Sequence, residues 1–322
     1  MRTNRTTSLL ACALLVLGAT ARADSLGPTF EQLQTLSQGD ADEPIALVRL
    51  LKSKDPTGFT RYLLALETEV LARGGKRLYG GKVAQELAGG APPVDTIAID
   101  WFPSRRACVE SMRAVDPLIT SLGLESEWVI AVRPWSATFE TVAGAAASVL
   151  GSYPREVAAD PPPFPELEEA GSTAIAPDAA AIAAFNQSDP DVGFAMLNLN
   201  QFRAQAAPPP GDDADAGSTG EEAYERYART ALWHVMRRGG SILFAGQPIG
   251  LVAGAAGSAL DQRWNQVALV FYPSRRHMRD MLADPDYRAA VPHRVAGLER
   301  AALLVTEPWP PYNPLREAST SR

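Results

Sequence analysis

Six residues in the C-terminal half of the chain carry side chains suited to holding a ligand. Arg294 offers a guanidinium fork that fits an anion or a carboxylate; its plainer role is an ion pair that braces the fold. His293, beside it, is a candidate general base, metal ligand or haem ligand, or else a solvated surface residue. Tyr287 lies a little upstream on the same segment. Asn198 sits among apolar neighbours in Ala195-Met196-Leu197-Asn198-Leu199, where a buried amide must find hydrogen-bond partners. It either orients a ligand inside a barrel or satisfies nearby backbone. Trp264 and Tyr272 fall near the two ends of one predicted strand, where they line a pocket or simply pack.

Other chemistry is sparse. The sequence has no Gly-x-Ser-x-Gly elbow, phosphate loop, dinucleotide fingerprint or His-Glu-x-x-His. The three histidines, His234, His277 and His293, are far apart in sequence, so no metal site is assigned; the cofactor is unknown, none being the leading expectation and a metal or haem staying open. His234 falls on the polar side of its predicted helix and should be solvated, and His277 has no evident partner. Gly250 to Gly257 reads as a flexible hairpin connection.

Residues 1–23 have the three parts of an export leader: Arg2 and Arg5, an apolar run from Leu9 to Thr20, and the small-x-small site Ala21-Arg22-Ala23. The mature chain should therefore begin at Asp24, in the periplasm or the medium, with no membrane attachment. Loss of Arg2, Arg5 and Arg22 takes the formal net charge from −7 to −10. With no basic stripe, nucleic acid is not an expected partner. Cys108 is the one cysteine left after cleavage, so no internal disulfide can form. It aligns with Met278 in the repeat described next, and so reads as a core residue.

The strongest signal is an internal repeat. Phe102-Pro103-Ser104-Arg105-Arg106 recurs as Tyr272-Pro273-Ser274-Arg275-Arg276, Arg73-Gly74-Gly75 as Arg238-Gly239-Gly240, and Arg133-Pro134-Trp135 as Glu307-Pro308-Trp309. Leu33 and Leu36 match Ile182 and Phe185, and Arg49 matches Asn198, 149 residues on. The offset grows to 165 at Gly75, 170 at Pro103 and 174 at Trp135, so the second copy carries extra loop residues, chiefly Ala204 to Gly220.

Each copy opens with a short helix. A strand follows (Ile45 to Leu51, Phe194 to Leu199), then a helix with one apolar face: Phe59, Tyr62, Leu66 and Val70, matched by Tyr224, Tyr227, Ala231 and Val235. Gly74 and Gly239 end these helices. Two more strands follow, near Lys76–Val83 and Thr96–Phe102 and near Ser241–Ile249 and Gln266–Tyr272. A helix capped by Ser104 or Ser274 leads to a last strand, near Trp128–Val132 or Ala302–Thr306. The class is α+β, and the order β-α-β-β-α-β is the ferredoxin-like unit. Its exposed apolar sheet face needs a partner. Two tandem units would pack their sheets as a pseudo-dimeric α/β barrel in one chain, with no oligomer required. The expected organisation is a leader (1–23), a first unit (24–150), a Pro-rich linker (151–178), a second unit (179–310) and a loose tail (311–322).

The second unit resembles the DUF1330 family of dimeric α/β-barrel proteins. Met196-Leu197-Asn198-Leu199 is similar to the family's first strand. Trp264-Asn265-Gln266-Val267 through Tyr272-Pro273-Ser274 resembles its W-(D/N)-x-V…YPS stretch. Asp284-Pro285-Asp286-Tyr287 with His293-Arg294-Val295-Ala296-Gly297-Leu298 resembles its DPxY…HRxAGL stretch. The resemblance implies the barrel fold and no particular reaction. The first unit departs from the pattern: Arg49 stands for Asn198, Val94 for Trp264, and no Tyr-His-Arg set follows Asp116-Pro117. A site is therefore expected in the second unit, taking a small apolar or carboxylate-bearing ligand near Arg294, Asn198 and Trp264. The alternatives are an enzyme of oxygenase or isomerase type using the same pocket, and a structural barrel filled by its own side chains.

Overall fold

A computed structural model describes residues 26–119, 123–135, 157–164, 174–209, 211, 213–261, 263–310 and 312. The predicted leader, parts of the linker and all of the tail except Tyr312 lie outside the described residues. The first copy contains α1 (Phe30–Ser37), β1 (Ile45–Ser53), α2 (Pro56–Ala72), β2 (Lys76–Ala88), β3 (Thr96–Phe102), α3 (Arg105–Ile119) and β4 (Leu124–Pro134). The second contains α4 (Ala179–Gln187), β5 (Phe194–Phe202), α5 (Gly220–Arg237), β6 (Ser241–Ala253), β7 (Gln266–Tyr272), α6 (Arg275–Ala283), α7 (Pro285–Gly297) and β8 (Leu298–Pro308).

Local chemistry sets the helix ends. Asp55 caps α2 through the amides of Thr57 and Gly58. Thr219 and Glu222 form a capping box at the start of α5. Gly74 and Gly239 leave α2 and α5 at φ +71° and +75°, a conformation open to glycine at no steric cost. Asp284 closes α6 and caps α7 with its own side chain.

The eight strands form one closed antiparallel barrel in the order β1-β3-β2-β8-β5-β7-β6-β4. Each copy supplies a four-stranded ferredoxin-like sheet. The two sheets do not merely stack, as the sequence suggests; they join edge to edge, β2 to β8 and β4 to β6. This explains why β2 and β6 outrun their predicted ends. The first half of β2 pairs with β3 and its second half with β8, and β6 divides likewise between β7 and β4. Part of the predicted Gly250–Gly257 connection is thus strand. The backbones come so close at the seams that a Cβ on Gly81 would lie 2.9 Å from the Glu307 carbonyl, and one on Gly246 2.5 Å from that of Arg133.

Alternate side chains fill the barrel interior, among them Val48, Ile99, Ile130, Leu197, Phe244 and Leu269. The remaining strand positions face outward into two helix-covered layers. The first packs under α2 and α3 and borrows Val252 and Ala253 from β6. The second packs under α5, α6 and α7 and borrows Leu87 and Ala88 from β2. The short helices bind the copies together: Gln32 of α1 donates to the Gly254 carbonyl, and Gln85 of β2 to that of Ala181 in α4. The described part of the linker is anchored, since the Phe164 amide donates to Asn186 Oδ1 at 2.7 Å and its ring meets Phe185 edge-on. No described helix is long and apolar enough to cross a membrane.

Candidate functional site

The repeat allows one location to be inspected twice. In the first copy, Arg49 lies opposite Ala98 and Val129 on the helix-covered face of the sheet and is 1% exposed. Its Nε donates to Asp100 Oδ2 at 3.1 Å, and Arg77 Nε donates to Asp100 Oδ1 at 2.9 Å. Glu127 lies 3.9 Å from Arg49 Nη1 and accepts from the Gly27 amide at 2.8 Å and the Tyr62 hydroxyl at 3.3 Å. Leu66 packs from α2 above. Arg49, Tyr62, Leu66 and Asp100 are all buried between helix and sheet.

In the second copy Asn198 lies opposite Ala268 and Leu303, the same registers shifted by the repeat. By the same correspondence Ile242 replaces Arg77, Val270 replaces Asp100, Ala301 replaces Glu127 and Ala231 replaces Leu66. Each replacement removes charge or length. What remains is a cavity of about 360 Å³ between α5 and the outer face of β5, β7 and β6. Tyr224, Tyr227 and Ala231 line it from α5; Asn198, Gln266, Val270 and Tyr272 line it from the sheet. Trp135 and the exposed Glu221, Glu225 and Arg229 stand at its rim.

A few polar groups are fixed in these walls. Asn198 Nδ2 donates to the Met196 and Ala268 carbonyls at 3.0 and 3.3 Å. Asn200 Nδ2 donates to both Gln266 Oε1 and the Tyr224 hydroxyl at 2.9 Å. The Tyr227 and Tyr287 hydroxyls are 2.8 Å apart. Burial holds the Tyr272 and Tyr224 phenols well above the usual tyrosine range, against the opposing pull of Arg294. Both therefore stay protonated and neutral near pH 7.

The structure divides the six predicted residues. Asn198 and Tyr272 share the cavity. Of the two roles expected for Asn198, the structure shows the contact with nearby backbone; its side chain faces the helix layer and not the barrel interior. Tyr287 stands behind the cavity wall, bonded to Tyr227. Trp264 lies in the barrel interior, its Nε1 donating to the Leu260 carbonyl at 3.1 Å, so the expected grouping with Asn198 and Arg294 does not form. Arg294 does not line the cavity, although its charge acts on Tyr224, Tyr272 and Tyr287. His293 points away into a shallow surface cleft between α5 and α7, its Nδ1 2.6 Å from Asp215 Oδ2. Asp215 also binds Arg226 and so ties the inserted loop to both helices.

Two further expectations are corrected. His234 is buried, not solvated, with its Nδ1 3.0 Å from Arg238 Nη1 and 3.5 Å from Asp284. His277 does have a partner, the Ser274 hydroxyl at 2.7 Å, and burial lowers its pKa. Cys108 is a core residue as expected; burial pushes its thiol up to about 12, which leaves it unreactive. Among the described residues no cluster of three or more His, Cys, Asp or Glu could hold a metal ion. The sequence reading does not single out Gln266, and it places Tyr224 and Tyr227 only on the apolar face of a helix. The available signal was the pairing of Leu66 with Ala231, a loss of volume at an otherwise apolar position.

The sequence matches the family described as a domain of unknown function, DUF1330, over residues 214–308, from the inserted loop through β8. The RPA0582 protein of unknown function from Rhodopseudomonas palustris is 34% identical; the match covers 42% of this chain and 98% of that one, with a TM-score of 0.37. The chain belongs to the DUF1330 family, its second copy carrying the match. Other solved structures that match are an anthrone oxidase-like protein (10% identity, 84% of this chain, 94% of that chain, TM-score 0.40) and a mutant chlorite dismutase from Candidatus Nitrospira defluvii (10%, 86%, 94%, TM-score 0.39). No curated protein matches the chain.

Proposed function

We propose that this protein is an exported binding module that takes a small, largely apolar ligand in the second copy, between α5 and the outer face of the barrel. One observation carries this reading: equivalent positions hold a buried ion network in the first copy and a lined cavity in the second. Its volume, about 360 Å³, falls at the lower end of the roughly 300–1,000 Å³ common for ligand pockets. Mostly apolar walls with a few fixed polar groups also fit such a site. The enzyme alternative loses its best proton carrier, because His293 is turned to the surface cleft.

The test is a fluorescence titration with the neutral probe N-phenyl-1-naphthylamine. The wild type should bind one equivalent. Ala231→Leu, which restores the residue of the first copy, should weaken binding by about tenfold or more while raising stability by about 1–2 kcal/mol through added apolar burial. A wild type that binds no probe, or an Ala231→Leu variant that binds it equally well, would sink the proposal. Export is checked separately: the chain recovered from outside the cytoplasm should begin at Asp24, and one retaining its first 23 residues would refute the leader.

A further inference from the structure

We infer that the cavity selects a neutral aromatic alcohol or phenol over a carboxylate, an inference that rests on the cavity being a ligand site. The hydrogen-bond inventory of its walls leads to this class. The Asn198 amide meets two backbone carbonyls, so the atom facing them must be the nitrogen. Its Oδ1 is left as an acceptor with no hydrogen-bond partner among the described residues. Gln266 is placed in the complementary sense: its Oε1 accepts from Asn200 Nδ2 at 2.9 Å, and its Nε2 is left as a donor. Asn198 and Gln266 are diagonal neighbours across the β5–β7 pairing, a relation that sets residues about 7–8 Å apart, within reach of long side chains.

A ligand hydroxyl between them can donate to Asn198 Oδ1 and accept from Gln266 Nε2. A carboxylate can only accept. It would face the Asn198 oxygen with no proton to give and leave that acceptor unpaired, which is costly in a buried site.

Charge favours the same class. Among the described residues, the only cation lining the cavity is Arg229, which is exposed at the rim beside Glu221 and Glu225. Arg294, the natural partner for a carboxylate, is not among the lining residues. A buried anion would thus lack direct pairing. The walls favour flat rings: Tyr224, Tyr227 and Tyr272 with Trp135 and Phe202 offer aromatic faces and edges to an aromatic guest. The Tyr272 hydroxyl has no hydrogen-bond partner among the described residues and adds a second neutral polar contact.

The experiment compares naphthalene, 2-naphthol and 2-naphthoate by calorimetric titration at pH 7 on the mature protein, with N-phenyl-1-naphthylamine run alongside. 2-Naphthol should bind about tenfold tighter than naphthalene, the scale of one net hydrogen bond, and 2-naphthoate more weakly than either. Asn198→Leu should bring 2-naphthol down to the level of naphthalene and leave naphthalene itself within about threefold. Gln266→Met serves the same purpose should Asn198→Leu not fold. Tighter binding of 2-naphthoate than of 2-naphthol, or an equal loss for naphthol and naphthalene in the variants, overturns the inference. If the probe binds and none of the three compounds does, the inference falls while the ligand site stands. If the probe fails as well, both fall.

Discussion

Arg49→Asn, which installs the residue of the second copy in the first, is expected to lower the unfolding free energy by about 3–5 kcal/mol. The wild-type side chain is 1% exposed and lies between Asp100 and Glu127. Removing it leaves two buried carboxylates with Arg77 as the remaining cation of the group. Asp100 keeps its 2.9 Å bond to Arg77, whereas Glu127 loses the Arg49 charge beside it and retains the Gly27 amide and the Tyr62 hydroxyl. A surface ion pair would be worth about 0–1 kcal/mol; the burial makes the difference. Adding Arg77→Ile, Asp100→Val and Glu127→Ala completes the set found in the second copy and removes the stranded charges. The fourfold variant should therefore be more stable than Arg49→Asn alone, as expected when a whole buried ion network gives way to apolar residues. Urea denaturation of the two variants measures this. A cost below about 1 kcal/mol for Arg49→Asn would mean that the network is hydrated and not a closed internal brace.

The pairing of positions behind that experiment was legible in the sequence, because offsets between landmark residues survive into the strand registers. Arg49 opposite Ala98 and Asn198 opposite Ala268 reproduce the sequence correspondence. Barrel closure was less legible. The second halves of β2 and β6 pair with strands of the other copy, and nothing local in their sequences announces a distant partner. The direction of Asn198 was hidden for another reason. Strands buried on both faces are apolar at odd and even positions alike, so alternation cannot tell the barrel interior from the helix layer. Trp264 precedes the first residue of β7 and escapes the alternation of that strand. Pro292 lies inside α7 and masks a helix that otherwise begins with a clear Asp-Pro cap. The cavity itself was hardest to foresee, because it is made by residues that are small or short, whereas chemistry is usually sought in residues that are large or charged.

Gly297→Ala tests whether the placement of α5 over the sheet is what shapes the cavity. Gly297 ends α7, and a methyl group there would lie 2.5 Å from the Gly220 carbonyl oxygen and 2.8 Å from the Tyr224 amide nitrogen. Both neighbours are backbone in the first turns of α5, so the helix must shift to admit it. Overpacking of this kind costs about 1–3 kcal/mol. The shift also moves Tyr224, which lines the cavity and is held by Asn200. Probe affinity should fall by about tenfold or more, a loss of at least roughly 1.4 kcal/mol in binding. The first copy contains the control. Gly123 stands at the equivalent place, where a Cβ would lie 3.1 Å from the Phe59 amide nitrogen, and its φ of +75° adds strain for any other residue. Gly123→Ala should therefore destabilise the protein at least as much, yet leave probe binding within about twofold at temperatures where the protein remains folded, because its helix covers an ion network and not a cavity. Equal losses of binding in the two variants would show that affinity follows global stability alone; loss confined to Gly297→Ala would tie it to the position of α5.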